Sequence, residues 1–96
     1  MRFGEHIRQL REQNKLLLRH LASQLDIDTA MMSKIERSER KIKREHIPAL
    51  AKLLKTSVSE LQMLFMADQI IELIENEENP EAILDAAEKE IKVYKK

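Results

Sequence analysis

Leu21-Ala-Ser-Gln-Leu-Asp-Ile-Asp-Thr-Ala-Met-Met-Ser-Lys-Ile-Glu-Arg-Ser-Glu-Arg40 is the stretch that decides the reading of this chain. Leu21, Ala22 and Leu25 recur at helical spacing, and Asp26 and Ile27 interrupt them. Asp28 then stands where a helix needs an N-cap, and its carboxylate also complements the helix dipole. A second short helix is expected from Thr29 to about Ser38. It places Met32 and Ile35 on one face and Thr29, Ala30, Ser33, Lys34 and Arg37 on the other. One face suits a core, and the other is small, polar and basic.

Working outward, the remaining elements are also helical. The spacing of Phe3, Ile7 and Leu10 predicts a first helix over 2–13, and Leu17 to Leu25 forms the second. After the charged loop Ser38–Lys43, which surrounds Ile42, a fourth helix is expected from about Glu45 to Lys55. It buries Ile47, Leu50, Ala51 and Leu54, and Pro48 must lie in its first turn. Ser57 caps a fifth helix over 58–75, with Glu60 as its capping-box partner. Val58, Leu61 and Phe65 are expected to pack on the preceding helices. Asn79-Pro80 opens a sixth helix. The fold class is therefore all-α: five helices around one core, with an extended helix 5 and a C-terminal helix 6. The expected division is 1–61 for the first unit and 62–96 for a helical extension.

The fifth helix is apolar over too wide an arc for one core. Met63, Ala67, Ile70 and Ile74 form a second stripe, with Met66 and Ile71 alongside, and such a stripe needs a cover. In the sixth helix Leu84, Ala87, Ile91 and Tyr94 follow a 3-4-3 spacing, a coiled-coil-like seam. Two placements satisfy it: folding back on the fifth helix, or packing on a second copy. The expected dimerisation residues are Met63, Met66, Ala67, Ile70, Ile74, Leu84, Ala87 and Ile91.

Net charge is zero, but it is not evenly spread. Residues 1–56 hold 13 Lys and Arg against 7 Asp and Glu, and residues 57–96 hold 4 against 10. A half at +6 beside a half at −6 implies that only the first faces a polyanion. Arg37, Arg40, Lys41, Lys43 and Arg44 crowd five cations into eight residues after the third helix. No apolar run is long enough to span a bilayer, and the N-terminus lacks a signal-peptide core. With zero Cys, disulfide and thiolate chemistry are excluded. A cytoplasmic location is expected.

The combination of F-G-E-H-I-R-Q-L-R (Phe3–Arg11), Leu21-Ala22, S-K-I-E-R (Ser33–Arg37) and I-P-A-L-A-K-L-L (Ile47–Leu54) resembles the Cro/CI-type helix-turn-helix repressors, the XRE family. The resemblance covers residues 3–61. It implies a five-helix, lambda-repressor-like domain, commonly dimeric, that regulates transcription by binding double-stranded DNA through helix 3. Thr29 and Ala30 would touch thymine methyls, Lys34 guanine, and Ser33 and Arg37 phosphates, with Met31 at the edge of the core. Arg40, Lys41 and Lys43 would add phosphate contacts. The resemblance also implies that Arg11 and Glu36 pair to orient helix 3.

The chain departs from the family at four places. Asp26 replaces the turn Gly, which Asp tolerates in the left-handed conformation. Leu17 and Leu18 replace a Ser/Thr cap and a phosphate-clamping Gln, a role that passes to Arg19. Ser38 stands for Gly, and Ile42 for a frequent Pro.

His6, His20 and His46 form no ligand cluster, so surface positions and no metal are expected. Glu77 and Glu78 solubilise a loop. Neither a nucleophile–base pair nor a phosphate loop is legible, so no enzyme and no cofactor is expected. Narrower roles remain open within the regulator class: a restriction–modification controller, an antitoxin-type autorepressor or a phage-type repressor. The alternative class is a protein-interaction module that binds a partner protein through its C-terminal helices.

Overall fold

Helical periodicity is realised in six α-helices in the computed structural model, which describes residues 2–95. They are α1 (Phe3–Gln13), α2 (Leu18–Gln24), α3 (Thr29–Glu36), α4 (Ile47–Leu53), α5 (Val58–Ile74) and α6 (Pro80–Tyr94). A single 3-10 turn, Arg44–His46, precedes α4, and no strand occurs among the described residues. Pro48 lies in the first turn of α4, where no intrahelical donor is lost.

One core holds the first five helices together. Ile7, Leu21, Met32, Ile47, Leu50, Leu54 and Leu61 are its fully buried centre. Phe3 and Phe65 close one side with an edge-to-face contact, ring centroids 5.6 Å apart. Ile42 is buried, so the charged loop is pinned at its middle by one apolar side chain. α5 runs unbroken past residue 61, and Phe65 beyond it belongs to the same core.

The first four helices end in the same way. Lys15, Asp26, Ser38 and Lys55 all have positive φ, between 55° and 62°. Each is followed by a 6→1 bond, donated by the backbone N–H of Leu16, Ile27, Glu39 and Thr56 to the carbonyls of Arg11, Ala22, Lys34 and Ala51. These are Schellman endings built without glycine. Helix starts are as regular. Asp28 accepts from Met31 N (2.7 Å), Ser57 from Glu60 N (3.0 Å) and Asn79 from Ala82 N (3.2 Å).

Several expectations are corrected. α3 stops at Glu36, because Ser38 takes the left-handed conformation that ends it. Glu60 does not complete a capping box; its carboxylate accepts from Thr56 Oγ1 instead. Val58 is exposed rather than packed on the preceding helices, because it opens α5 ahead of the buried Leu61. His6 is half-buried, with Nε2 enclosed and unpartnered, and so is not a surface residue. α6 does not fold back as a packed hairpin: it contributes no buried residue. On α5, Ile74 is buried and Ala67 half-buried, whereas Met63, Met66, Ile70 and Leu73 are exposed.

Candidate nucleic-acid interface

The position of α3 is set by contacts at both of its ends. At its start Asp28 caps the helix and leaves Thr29 and Ala30 exposed. Near its end Glu36 is almost wholly buried and receives a two-pronged bond from Arg11 of α1. Nε reaches one oxygen at 2.7 Å and Nη2 the other at 3.1 Å. The third arm of the guanidinium, Nη1, donates to Leu16 O at 3.0 Å, tying the α1–α2 turn to the same group. The pair is structural, since neither member is free to reach a base. Gly4 lets α1 lie directly on the end of α3. A Cβ there would meet Ile35 O at 2.3 Å and Glu36 O at 2.9 Å.

With Met32 and Ile35 buried, the outward face of α3 carries Thr29, Ala30, Ser33, Lys34 and Arg37. Met31 is half-buried against the core, at the boundary between the two faces. Arg37 is folded over this surface. Its Nη1 donates to Ser33 Oγ (2.8 Å) and its Nε to Glu39 (2.5 Å). That hydrogen bond, with the attraction of the paired charges, holds the Glu39 carboxyl below its usual range and raises the Arg37 guanidinium.

The other predicted cations divide into two sets. Arg19, Arg40 and Lys43 are exposed. Lys41 reaches away to Glu72 of α5, at 2.5 Å. Arg44 also turns toward α5, where the Gln62 amide, oriented to satisfy both groups, accepts from its Nε at 2.9 Å. Of the five cations crowded after α3, three are therefore engaged by the protein's own side chains.

Sequence reasoning missed two features. Arg8 of α1 lines a surface cleft with Arg11, Leu18, Ser33, Glu36 and Arg37. Its spacing of three from Arg11 puts both on one helix face, a signal present in the sequence. The second feature is His20. Leu17 has no side chain able to cap α2, but its backbone N–H donates to His20 Nδ1 at 2.8 Å. One of the backbone donors that open α2 is thus satisfied from inside the helix.

Among the described residues no group of three or more His, Cys, Asp or Glu is placed to hold a metal ion. No helix among them is long and apolar enough to cross a membrane.

A family model described as a helix-turn-helix domain matches residues 2–64, which takes in α1 to α4 and the first part of α5. No curated protein and no solved structure matches the chain. The match spans the capped α3, the α2–α3 turn at Asp26 and the core beneath them. The chain belongs to the helix-turn-helix domain family, an assignment that supports DNA as its partner.

Proposed function

We propose that this chain is a homodimeric transcriptional repressor of the Cro/CI (XRE) type that reads an inverted-repeat operator through α3. The observation that carries the reading is the two-faced α3. Its small first residues, Thr29 and Ala30, are open to solvent, while its far end is locked by the buried Glu36. A helix so presented admits close approach to base edges, and its exposed N-terminal turn favours phosphate.

In this reading Thr29 and Ala30 contact thymine methyls, and Lys34 donates to guanine O6 and N7. Ser33, Arg37, Arg40, Lys43 and Arg19 contact phosphates and fix the register. Lys41 does so only by giving up Glu72, so it contributes least. Met31 lends an edge contact. The division of labour falls within α5, with residues 1–61 reading DNA and residues 62–96 joining two copies. Met63, Met66, Ile70, Leu84, Ala87 and Ile91 belong to that joining region, with the half-buried Ala67 at its edge, whereas the buried Ile74 is not free to take part. Two copies of α3 then enter successive major grooves about 34 Å apart. The cytoplasm is where such a regulator meets its operator. Control of a restriction–modification operon and antitoxin-type autorepression both fit this size.

A second reading, a protein-interaction module, is favoured by α6, which buries no residue. Selecting bound duplexes from a random DNA pool separates the two. Enrichment of an inverted repeat with fixed half-site spacing is expected. Salt-sensitive binding without enrichment would remove the operator reading, and no binding at low salt would leave the interaction module. Substituting Lys34 and Arg37 together should abolish operator binding and leave a pure scaffold unaffected.

A further inference from the structure

Two exposed seams of the same length stand unpaired in this chain. On α5 they are Met63, Met66, Ile70 and Leu73, spaced 3-4-3, with Met63 63% and Leu73 79% exposed. On α6 they are Leu84, Ala87, Ile91 and Tyr94, again spaced 3-4-3, with Ile91 57% and Tyr94 84% exposed. Apolar residues at this spacing are what one helix offers another in a knobs-into-holes seam. Neither seam is covered by the chain's own helices.

The surface area gives the size of what is missing. A compact monomer of this mass exposes about 5,700 Å², whereas this chain exposes 7035 Å². Its radius of gyration is 15.3 Å, against about 12.5 Å for a compact chain of this length. The excess is about 1,300 Å² per chain, or about 2,600 Å² for two. That lies within the range of roughly 2,000–5,000 Å² buried in obligate homodimers. α6 also needs a cover for its own sake, because a free helix of 15 residues is marginal in water.

Charge favours one pairing. The residues beside the α5 seam are Gln62, Ala67 and Gln69, all uncharged. Those beside the α6 seam include Glu90 and Glu88, the latter paired along the helix with Lys92 at 2.9 Å. An antiparallel pair of α6 helices would bring these carboxylates against their own symmetry copies, whereas α5 offers them a neutral border.

We infer that the dimer is an exchanged one, in which α6 of each copy lies on the α5 seam of the other. This deepens the dimeric reading above and rests on it. The exchange is isologous, so it closes at two copies and leaves no seam exposed. It also makes α6 a partner-borne element, which explains why it leaves its own α5 uncovered.

The chain has no cysteine, so engineered disulfides report cleanly. Full-length Ile70→Cys and Ala87→Cys chains, both substituted at exposed mid-seam positions, are prepared separately, co-expressed, and combined in one double variant. All are oxidised and read by non-reducing electrophoresis beside sedimentation of the unmodified protein. The inference expects mixed disulfide dimers from co-expression and few from either single variant alone. It expects covalent dimers from the double variant. Intrachain closure of the double variant into a covalent monomer would overturn the exchange, as would disulfides formed equally well by one single variant alone. In both cases a sedimenting dimer would keep the dimeric reading alive. A monomer at tens of micromolar would overturn both.

Discussion

Gly4 is the chain's one glycine, and it is spent on a close approach of backbones rather than on a turn. A Cβ at this position would meet the α3 carbonyls of Ile35 and Glu36 at 2.3 and 2.9 Å. Gly4→Ala gains about 1 kcal/mol of helix propensity. It should nevertheless lose about 2 kcal/mol overall, because the end of α3 must shift to make room. A lower urea midpoint checks this, and an unchanged one would contradict the contact. The left-handed helix ends run the other way. Lys55 adopts φ 56° without needing its side chain there. Lys55→Gly removes a conformational cost, partly offset by greater freedom in the unfolded chain. A net gain of about 0.5–1 kcal/mol is expected in chemical denaturation. The buried ion pair is less forgiving. Glu36→Ala strands Arg11 and should cost roughly 3 kcal/mol. Both melting temperature and operator affinity should fall, and unchanged melting would refute the structural role.

At the scale of elements, α3 is positioned by its neighbours more than by its own length of eight residues. Asp28 caps its start, Arg11 holds its end, and Gly4 lets α1 seat against it. The helix can therefore present Thr29, Ala30 and Lys34 without reorganising. Arg37 is the exception, since Glu39 competes with any phosphate for its guanidinium. Glu39→Gln should release it, tightening DNA binding and steepening the log–log salt dependence by up to about one unit. Fluorescence anisotropy at several salt concentrations reads both. An unaltered slope would mean that Arg37 meets no phosphate. α1 illustrates tertiary capping. Its N-cap residue, Arg2, supplies no side-chain bond, and the free N–H of Phe3 is taken by Asp68 Oδ2 of α5 at 3.0 Å. Arg2 Nε closes on the same carboxylate at 2.9 Å. α1 is thus fastened to the helix that carries the exposed α5 seam.

For the whole molecule, the asymmetry of charge and the asymmetry of exposure coincide. The basic part, α1 to α4 with the start of α5, is well packed, and the acidic remainder of α5 with α6 carries most of the uncovered apolar surface. Glu72 and Asp68 of α5 reach across to Lys41 and Arg2. The basic loop after α3 and the long helix α5 are therefore in direct contact. Ile70→Glu places a charge in the middle of the α5 seam and should give monomers by analytical ultracentrifugation, with α1 to α4 still folded. Because each half-site then binds alone, operator affinity should fall at least 100-fold through lost effective concentration, by an order-of-magnitude estimate. A variant that still sediments as a dimer would remove this helix from the interface.

What the sequence determined by itself was most of what depends on neighbours within a few residues; the capping box at Glu60 and the last turn of α3 were the local exceptions. Helical periodicity, the caps at Asp28, Ser57 and Asn79, and the strained turn at Asp26 are local, and they stand as read. The two faces of α3 follow from the same rule, since apolar spacing on a helix fixes which side is buried. The resemblance brought one long-range contact, Arg11 to Glu36. Only the tertiary structure decided the rest, because long side chains choose partners by distance in space. Asp68 caps a helix some 65 residues away in the chain, and Lys41 turns to Glu72 of α5. It also decided which apolar residues of α5 are left over. Ile74 and Leu73 are adjacent in sequence and equally apolar, but a rotation of about 100° about the helix axis buries the first and exposes the second.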